Sequence, residues 1–238
     1  MEGGYDLDGR GMSIADVFMF YEKKERHLAK KELTIEEIKK LKENKSNNFP
    51  KRRGNDFYHH YQEDIALLAK MSFSYYLSLV ASHDPARKVG EGNLKGGVEN
   101  PYLEKSDWGW AIDPIGLRIT MNEIYYRYNL PILISENGFG ANDILTVDNQ
   151  IHDEYRIKYL QKHINELKKA IELDGVICLG YLSWSPIDMI SAGTSEMNKR
   201  YGYIYVDYDD YGNGSGKRYL KDSFYWYQKV IASNGKVL

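Results

Sequence analysis

PILISENGFG occupies residues 131–140 of this 238-residue chain. Three consecutive aliphatic residues in it, Ile132, Leu133 and Ile134, read as a short strand buried on both faces and ended by Ser135, Glu136, Asn137 and Gly138. A carboxylate therefore stands where the strand stops. In barrels of alternating strands and helices the reacting groups project from the carboxyl ends of the strands, which makes Glu136 a candidate catalytic acid or nucleophile. The alternative is an ordinary Glu in a strand-end turn.

On the N-terminal side, WGWAIDP (108–114) leads into GLRITMNEIYYRYN, in which Leu117, Met121, Ile124, Tyr125 and Tyr128 mark one helical face. On the C-terminal side, Asp153 caps a long helix with apolar positions Tyr155, Tyr159, Leu160, Ile164, Leu167 and Ile171, closed by Gly175. Val176 to Leu182 is the next buried strand and ends in SWSPID. Ser72 to Val80, SFSYYLSLV, reads as an earlier strand with Tyr76 near its end. Strands alternating with helices call for right-handed crossovers and a parallel sheet. After Lys199, RYGYIYVD reads as a hairpin strand, DYDDYGNGSG as its turn, and Tyr219 to Ser233 as a terminal helix. Asp207, Asp209, Asp210 and Asn213 loosely imitate a calcium loop but lack the Glu of its last position, so a plain hairpin turn is the better reading.

The N-terminal third is less informative. Residues 1–15 read as a Gly- and Asp-rich loop. Thr34 and Glu37 form a T-x-x-E capping box opening a solvated helix, and Lys51, Arg52 and Arg53 read as a solvated charge run. Asp56 caps an amphipathic helix, DFYHHYQEDIALLAK, with Phe57, Tyr61, Ile65 and Leu68 on one face. Adjacent His59 and His60 diverge on a helix and do not form an i, i+4 metal pair.

A net charge of -2 supplies no global basic field, which argues against a nucleic-acid binder working through electrostatics. The single Cys178 allows neither a disulfide framework nor a cysteine metal cluster, and suits a reducing cytoplasm. No stretch approaches ~20 apolar residues, so no membrane association is expected, and the N-terminus lacks the apolar core of a signal peptide. The 21 Tyr and 4 Trp supply flat amphipathic rings of the kind a sugar cleft uses, although such rings also fill cores.

EGGYDLDGRGMSIADV, DFYHHYQEDIALLAKM, SFSYY, WGWAIDPIGLR, ILISENGFG, DEYRIKYLQKHI, DGVICLGYLSWSPIDMIS and KRYGYIYVD together resemble glycoside hydrolase family 1, and within it the bacterial 6-phospho-β-glucosidases. The resemblance implies a (β/α)8 barrel, cytoplasmic carbohydrate catabolism, and retaining cleavage of phosphorylated β-glucosides by two glutamates about 5 to 5.5 Å apart, with no cofactor and no metal. It makes Glu136 the nucleophile and Tyr76 the tyrosine steadying that carboxylate. Trp184 resembles the floor of the glycone site and Trp110 the wall of the aglycone site. Ser191, Lys199 and Tyr201 resemble a 6-phosphate clamp, in which a hydroxyl, an ammonium and a phenol hold a dianion. Ser191 stands where members taking unphosphorylated sugars have Glu, and Ala192 where galacto-specific ones have Trp.

The chain also departs from the family. Its T-x-N-E-[PI] segment, which carries the general acid/base, has no counterpart on a strand. TMNEI (120–124) imitates it inside a helix, from which Glu123 is expected to face solvent. The sequence passes near Lys70 from the family's first helix to its sixth strand. The expectation is therefore one family 1 type domain over residues 1–238, with 1–71 an N-terminal loop and first helix and 72–238 a C-terminal half-barrel. Such a partial TIM barrel is an open parallel sheet with flanking helices, and self-association is one way to cover its edges. Its hydrolysis is expected to be impaired; the alternatives are a non-catalytic remnant binding sugar 6-phosphate, or an unstable truncated product.

Overall fold

The computed structural model describes residues 2–9, 11–29, 33–71 and 102–238. Within them the chain falls into two compact units. One is built from the N-terminal residues up to 71 with Asp188–Arg200 and Val206–Arg218, the other from residue 102 to Ile187 with Tyr201–Tyr205 and Tyr219–Leu238. The strand read at 72–80, with Tyr76, lies outside the described residues.

In the first unit, two 3-10 turns, Ile14–Val17 and Lys23–Leu28, precede helices α1 (Ile35–Glu43), α2 (Pro50–Arg53) and α3 (Phe57–Lys70). The capping box forms as read: Glu37 N donates to Thr34 Oγ1 at 3.2 Å and Thr34 N to Glu37 Oε2 at 2.8 Å. Two readings need correcting. The basic run is not merely solvated, because the Arg52 guanidinium donates to the carbonyls of Asp16, Asn44 and Leu41 and Lys51 Nζ to that of Ala192. On α3 the buried positions are Phe57, Asp64 and Leu68, while Tyr61 and Ile65 are exposed. Asp64 turns inward because Arg218 forks onto it, Nε to Oδ1 at 2.8 Å and Nη2 to Oδ2 at 3.0 Å. The aspartates of the 207–218 turn are occupied by backbone donors, Asp209 by Tyr211 N and Asn213 N, and Asp207 by Ser215 N. Among the described residues no group of His, Cys, Asp and Glu is arranged to hold a metal ion.

In the second unit, α4 (Pro114–Tyr128) opens on Asp113, whose Oδ1 accepts from Gly116 N, and leads into β1 (Ile132–Asn137). Helix α5 (Glu154–Glu172) then returns the chain to β2 (Cys178–Ser183), which pairs with β1 in parallel. Met121 of α4, Leu167 and Ala170 of α5, and Val176 form the core, with Leu117, Tyr125, Ile132, Ile134, Cys178 and Tyr181 packed on it. A fork from Arg118 to Asp174 (both bonds 2.6 Å) fixes α4 against the end of α5 and holds that carboxyl down at about 2. The strands are not buried on both faces: Leu133 is 50% and Leu179 71% exposed, because the helices cover one face only. β1 also runs further than the aliphatic triplet, with Glu136 its penultimate residue. Two short strands, β3 (Ile204–Val206) and β4 (Arg218–Leu220), make a second sheet; helix α6 (Asp222–Ala232) begins later than read because Tyr219 and Leu220 belong to β4.

The segment after β1 is tied down by buried charges. Arg156 of α5 donates through Nη2 to both oxygens of Asp143 at 2.7 and 2.9 Å, through Nε to Asp153 at 2.9 Å, and through Nη1 to the carbonyl of Phe139. Lys221 and the Tyr155 hydroxyl also donate to Asp143, and Asp153 accepts from Ser223 N and Oγ at the start of α6. Burial alone would raise the Asp143 carboxyl, but Lys221, Arg156 and the Tyr155 hydrogen bond together hold it below the usual carboxylate range.

Removing one partner of such a group strands a buried charge, so Arg156→Met is expected to cost about 3–5 kcal/mol in urea unfolding. Since the Asp143 pKa is depressed on folding, its contribution is fully present above the ordinary carboxylate pKa of about 4 and is lost as pH falls through the lower folded value. Thermal midpoints are therefore expected to drop steeply below about pH 4; a midpoint unchanged down to pH 2 would contradict the assignment.

Candidate active site

The register of the parallel pair sets Asn137 opposite Ser183, so Glu136 and Trp184 stand at the carboxyl ends of neighbouring strands. Trp184 N donates to the carbonyl of Asn137 at 2.8 Å, closing the two strand ends together. The Asn137 side chain is held from two sides: its Oδ1 accepts from the Tyr181 hydroxyl at 2.6 Å and its Nδ2 donates to Tyr159 Oη at 3.3 Å. Burial, then the neighbouring tyrosines, push the Tyr181 hydroxyl well above its ordinary pKa and keep it a donor. Phe139 stacks on Tyr159 with ring centroids 5.0 Å apart. Below the rim, the Ser183 and Tyr203 hydroxyls are 2.6 Å apart and Tyr203 stacks on Tyr227 at 4.7 Å. Gly138 is dictated by a close approach, since a Cβ there would overlap the carbonyl oxygen of Trp184.

Glu136 is exposed, and Trp184, at the end of the neighbouring strand, is half-buried. A rigid, accessible carboxylate next to an indole is suited to attack on, or electrostatic stabilisation of, a bound ring. Trp110 is in a small antiparallel turn bridged by Lys105 and Ala111, and is 63% exposed. Glu123 is exposed on α4.

Ser191 and Lys199 are both buried in the 188–200 segment of the first unit. Ser191 anchors a turn there: its N donates to Glu196 O at 2.9 Å, its carbonyl accepts from Ser195 N at 3.0 Å, and its Oγ accepts from Thr194 Oγ1 at 3.0 Å. Burial lowers the Lys199 pKa, and Glu196 partly restores it. Tyr201 is buried and belongs to the second unit. Tyr76 lies outside the described residues. Asn137, Tyr159, Tyr181 and the Asp143–Arg156–Lys221 group escaped sequence reasoning; the one local signal was an Asn directly following the strand-end carboxylate.

A family model for glycosyl hydrolase family 1 matches residues 70–236. The chain is 56% identical over 169 residues to the aryl-phospho-beta-D-glucosidase BglH of Bacillus subtilis, covering 71% of this chain and 36% of that protein. It is 52% identical over 169 residues to the 6-phospho-beta-glucosidase AscB of Escherichia coli, covering 71% and 35%. The chain thus spans little more than a third of the length of these curated relatives. Among solved structures it resembles the beta-glucosidase from Thermotoga maritima in complex with glucoimidazole, with a TM-score of 0.52 at 39% identity, over 58% of this chain and 30% of that one.

The contact at Gly138 gives a direct test of the rim. Gly138→Ala is expected to retain helical content but to lose about 1–3 kcal/mol of stability, the usual cost of overpacking, and to change the tryptophan emission spectrum as the Trp184 backbone is displaced. Wild-type stability and emission would show that the approach is not close.

Proposed function

This chain belongs to glycosyl hydrolase family 1, and on that basis we propose that it carries the nucleophilic half of a retaining β-glycosidase whose substrates are 6-phospho-β-glucosides. The observation that carries the reading is an exposed carboxylate at the rim of a parallel strand pair, directly before Asn137, whose carbonyl is held by Trp184 N. In this mechanism Glu136 attacks the anomeric carbon, the bond to the aglycone oxygen breaks, and a glycosyl ester forms on the carboxylate. Water then cleaves the ester and releases the sugar with its original anomeric configuration. Trp184 floors the glycone, Trp110 walls the aglycone, Tyr76 steadies the nucleophile, and Ser191, Lys199 and Tyr201 receive the 6-phosphate. A serine at 191 and an ammonium at 199 favour a dianion over an unphosphorylated sugar. The names of the relatives, aryl-phospho-beta-D-glucosidase and 6-phospho-beta-glucosidase, agree with that substrate class.

The proposed architecture is a half-barrel whose open edges are covered by self-association, in a cytoplasmic protein of carbohydrate catabolism. β2, the strand paired with β1, ends without a carboxylate, and Glu123 lies on α4. Missing general acid assistance lowers turnover by about 10²- to 10⁴-fold, so native glucosides are cleaved slowly. The same observation favours a second reading, a non-catalytic remnant that binds sugar 6-phosphate.

An aryl 2-deoxy-2-fluoro-6-phospho-β-glucoside with an activated leaving group needs no acid and separates the readings. Mass spectrometry is expected to find one covalent label, on Glu136, absent from Glu136→Gln. A label on another residue, or none in cooperatively folded protein, would remove the nucleophile assignment. Calorimetry with glucose 6-phosphate then tests the clamp: Lys199→Met is expected to weaken binding at least about tenfold, and binding without labelling would leave the remnant standing.

A further inference from the structure

Apart from the strand rim, the described residues of the first unit enclose a pocket of about 570 Å³, within the usual range for small-molecule sites. Its walls come from the two 3-10 turns, α1 and the turn at 192–195. Val17, Phe18, Tyr21, Leu28, Leu33 and Leu41 supply a predominantly apolar, partly aromatic lining. None of the lining residues has a role in the proposed glycosidase mechanism, although the turn at 192–195 lies between Ser191 and Lys199 of the proposed clamp.

The charged groups on the walls are three cations, Arg26, Lys40 and Lys51, against one carboxylate, Glu37. Glu37 is engaged in capping α1, its Oε2 accepting from Thr34 N and Oγ1. Arg26 is paired with Glu196, yet its buried Nε has no acceptor among the described residues. Lys51 donates to the Ala192 carbonyl at 2.9 Å and stands 5.2 Å from the centroid of the Phe18 ring. Burial pushes its ammonium down to about 8, although Glu2 and Asp16 favour the charged form. An anion entering beside Phe18 would therefore meet a poorly solvated cation over an aromatic wall, and the apolar lining would take up the rest of the molecule.

We propose that this pocket is a binding site for a small aromatic anion, one or two rings carrying a carboxylate, sulfonate or phosphate. The site is independent of the glycosidase reading and survives if that reading fails. Gly193 provides a clean way to block it. That residue lines the pocket, an added Cβ there meets nothing within 4 Å, and its φ is not in the left-handed region.

The test uses 1-anilinonaphthalene-8-sulfonate, followed by its fluorescence on the whole chain, alongside its uncharged counterpart N-phenyl-1-naphthylamine. Saturable one-site binding is expected for the anion, with the uncharged dye at least about tenfold weaker. Gly193→Trp and, as an independent block from α1, Leu41→Trp are expected to lose most of the binding. Lys40→Glu is expected to weaken the anion several-fold and leave the uncharged dye unaffected. Leu133→Lys and Leu179→Glu, on the open sheet face of the other unit, are expected to leave binding as in the wild type. Absence of saturable binding, equal affinity for the two dyes, insensitivity to both tryptophan blocks, or loss on changing the sheet face would each overturn the proposal.

Discussion

The structure around the strand rim depends on a neutral set of four buried charges, Asp143, Asp153, Arg156 and Lys221. Each alone would be expelled from the interior, and together they satisfy one another's hydrogen-bonding capacity. Their geometric effect outweighs any gain in stability. Arg156 reaches the carbonyl of Phe139, three residues past Glu136, while Asp153 accepts from the backbone N–H and the hydroxyl of Ser223 in the first turn of α6. The loop leaving β1, the beginning of α5 and the beginning of α6 are thus fixed to one charge centre. The position of the carboxylate at 136 follows from that attachment as much as from the strand pairing.

A second constraint acts at closer range. Trp184 N holds the Asn137 carbonyl, the Asn137 amide is gripped by tyrosines from β2 and α5, and Gly138 leaves no space for a side chain against Trp184. These contacts order the two residues that follow Glu136 while leaving its carboxylate exposed and without a hydrogen-bond partner among the described residues. Rigid backbone with an accessible head group is the combination a nucleophile needs, because it fixes the direction of attack while leaving a carboxylate oxygen free to make it.

Local patterns were legible where neighbours in sequence carry the physics. The capping box at Thr34 and Glu37, the hairpin turn at 207–216 and the helix–strand alternation around β1 all rest on short-range rules, and the structure follows them. Errors arose where a distant partner decides. The spacing on α3 puts Tyr61 and Ile65 on the buried face, yet both are exposed, and Arg218, 154 positions from Asp64, draws that carboxylate inside instead. Arg52 looked solvated, yet three carbonyls wait for its fork. The aliphatic run at 132–134 was read as buried on both faces because hydrophobicity reports the preference to be covered; it does not report whether a cover is present. At the site, the strand-end Glu136 and Trp184 were readable from residue type and position, whereas the Asn137–tyrosine grip needed the crossover geometry.

The exposed face of β1 and β2 bears on the chemistry as well as on stability. A charged transition state at a sheet rim gains from low-dielectric surroundings, since fixed dipoles and charges act strongly only where water is excluded. Here Leu133 and Leu179 are open on one side of the strands that carry Glu136 and Trp184. Water reaching that face would screen the attacking carboxylate and compete for the anomeric carbon. Expulsion of a poor leaving group also needs a proton, and Glu123 on α4 sits outside the strand ends from which such a proton would come. The first deficit acts on the attacking carboxylate, the second on the departing aglycone, and neither on the phosphate. The two halves of the proposed function therefore separate: recognition of a phosphorylated sugar would tolerate this architecture, whereas turnover would be confined to leaving groups that depart unprotonated.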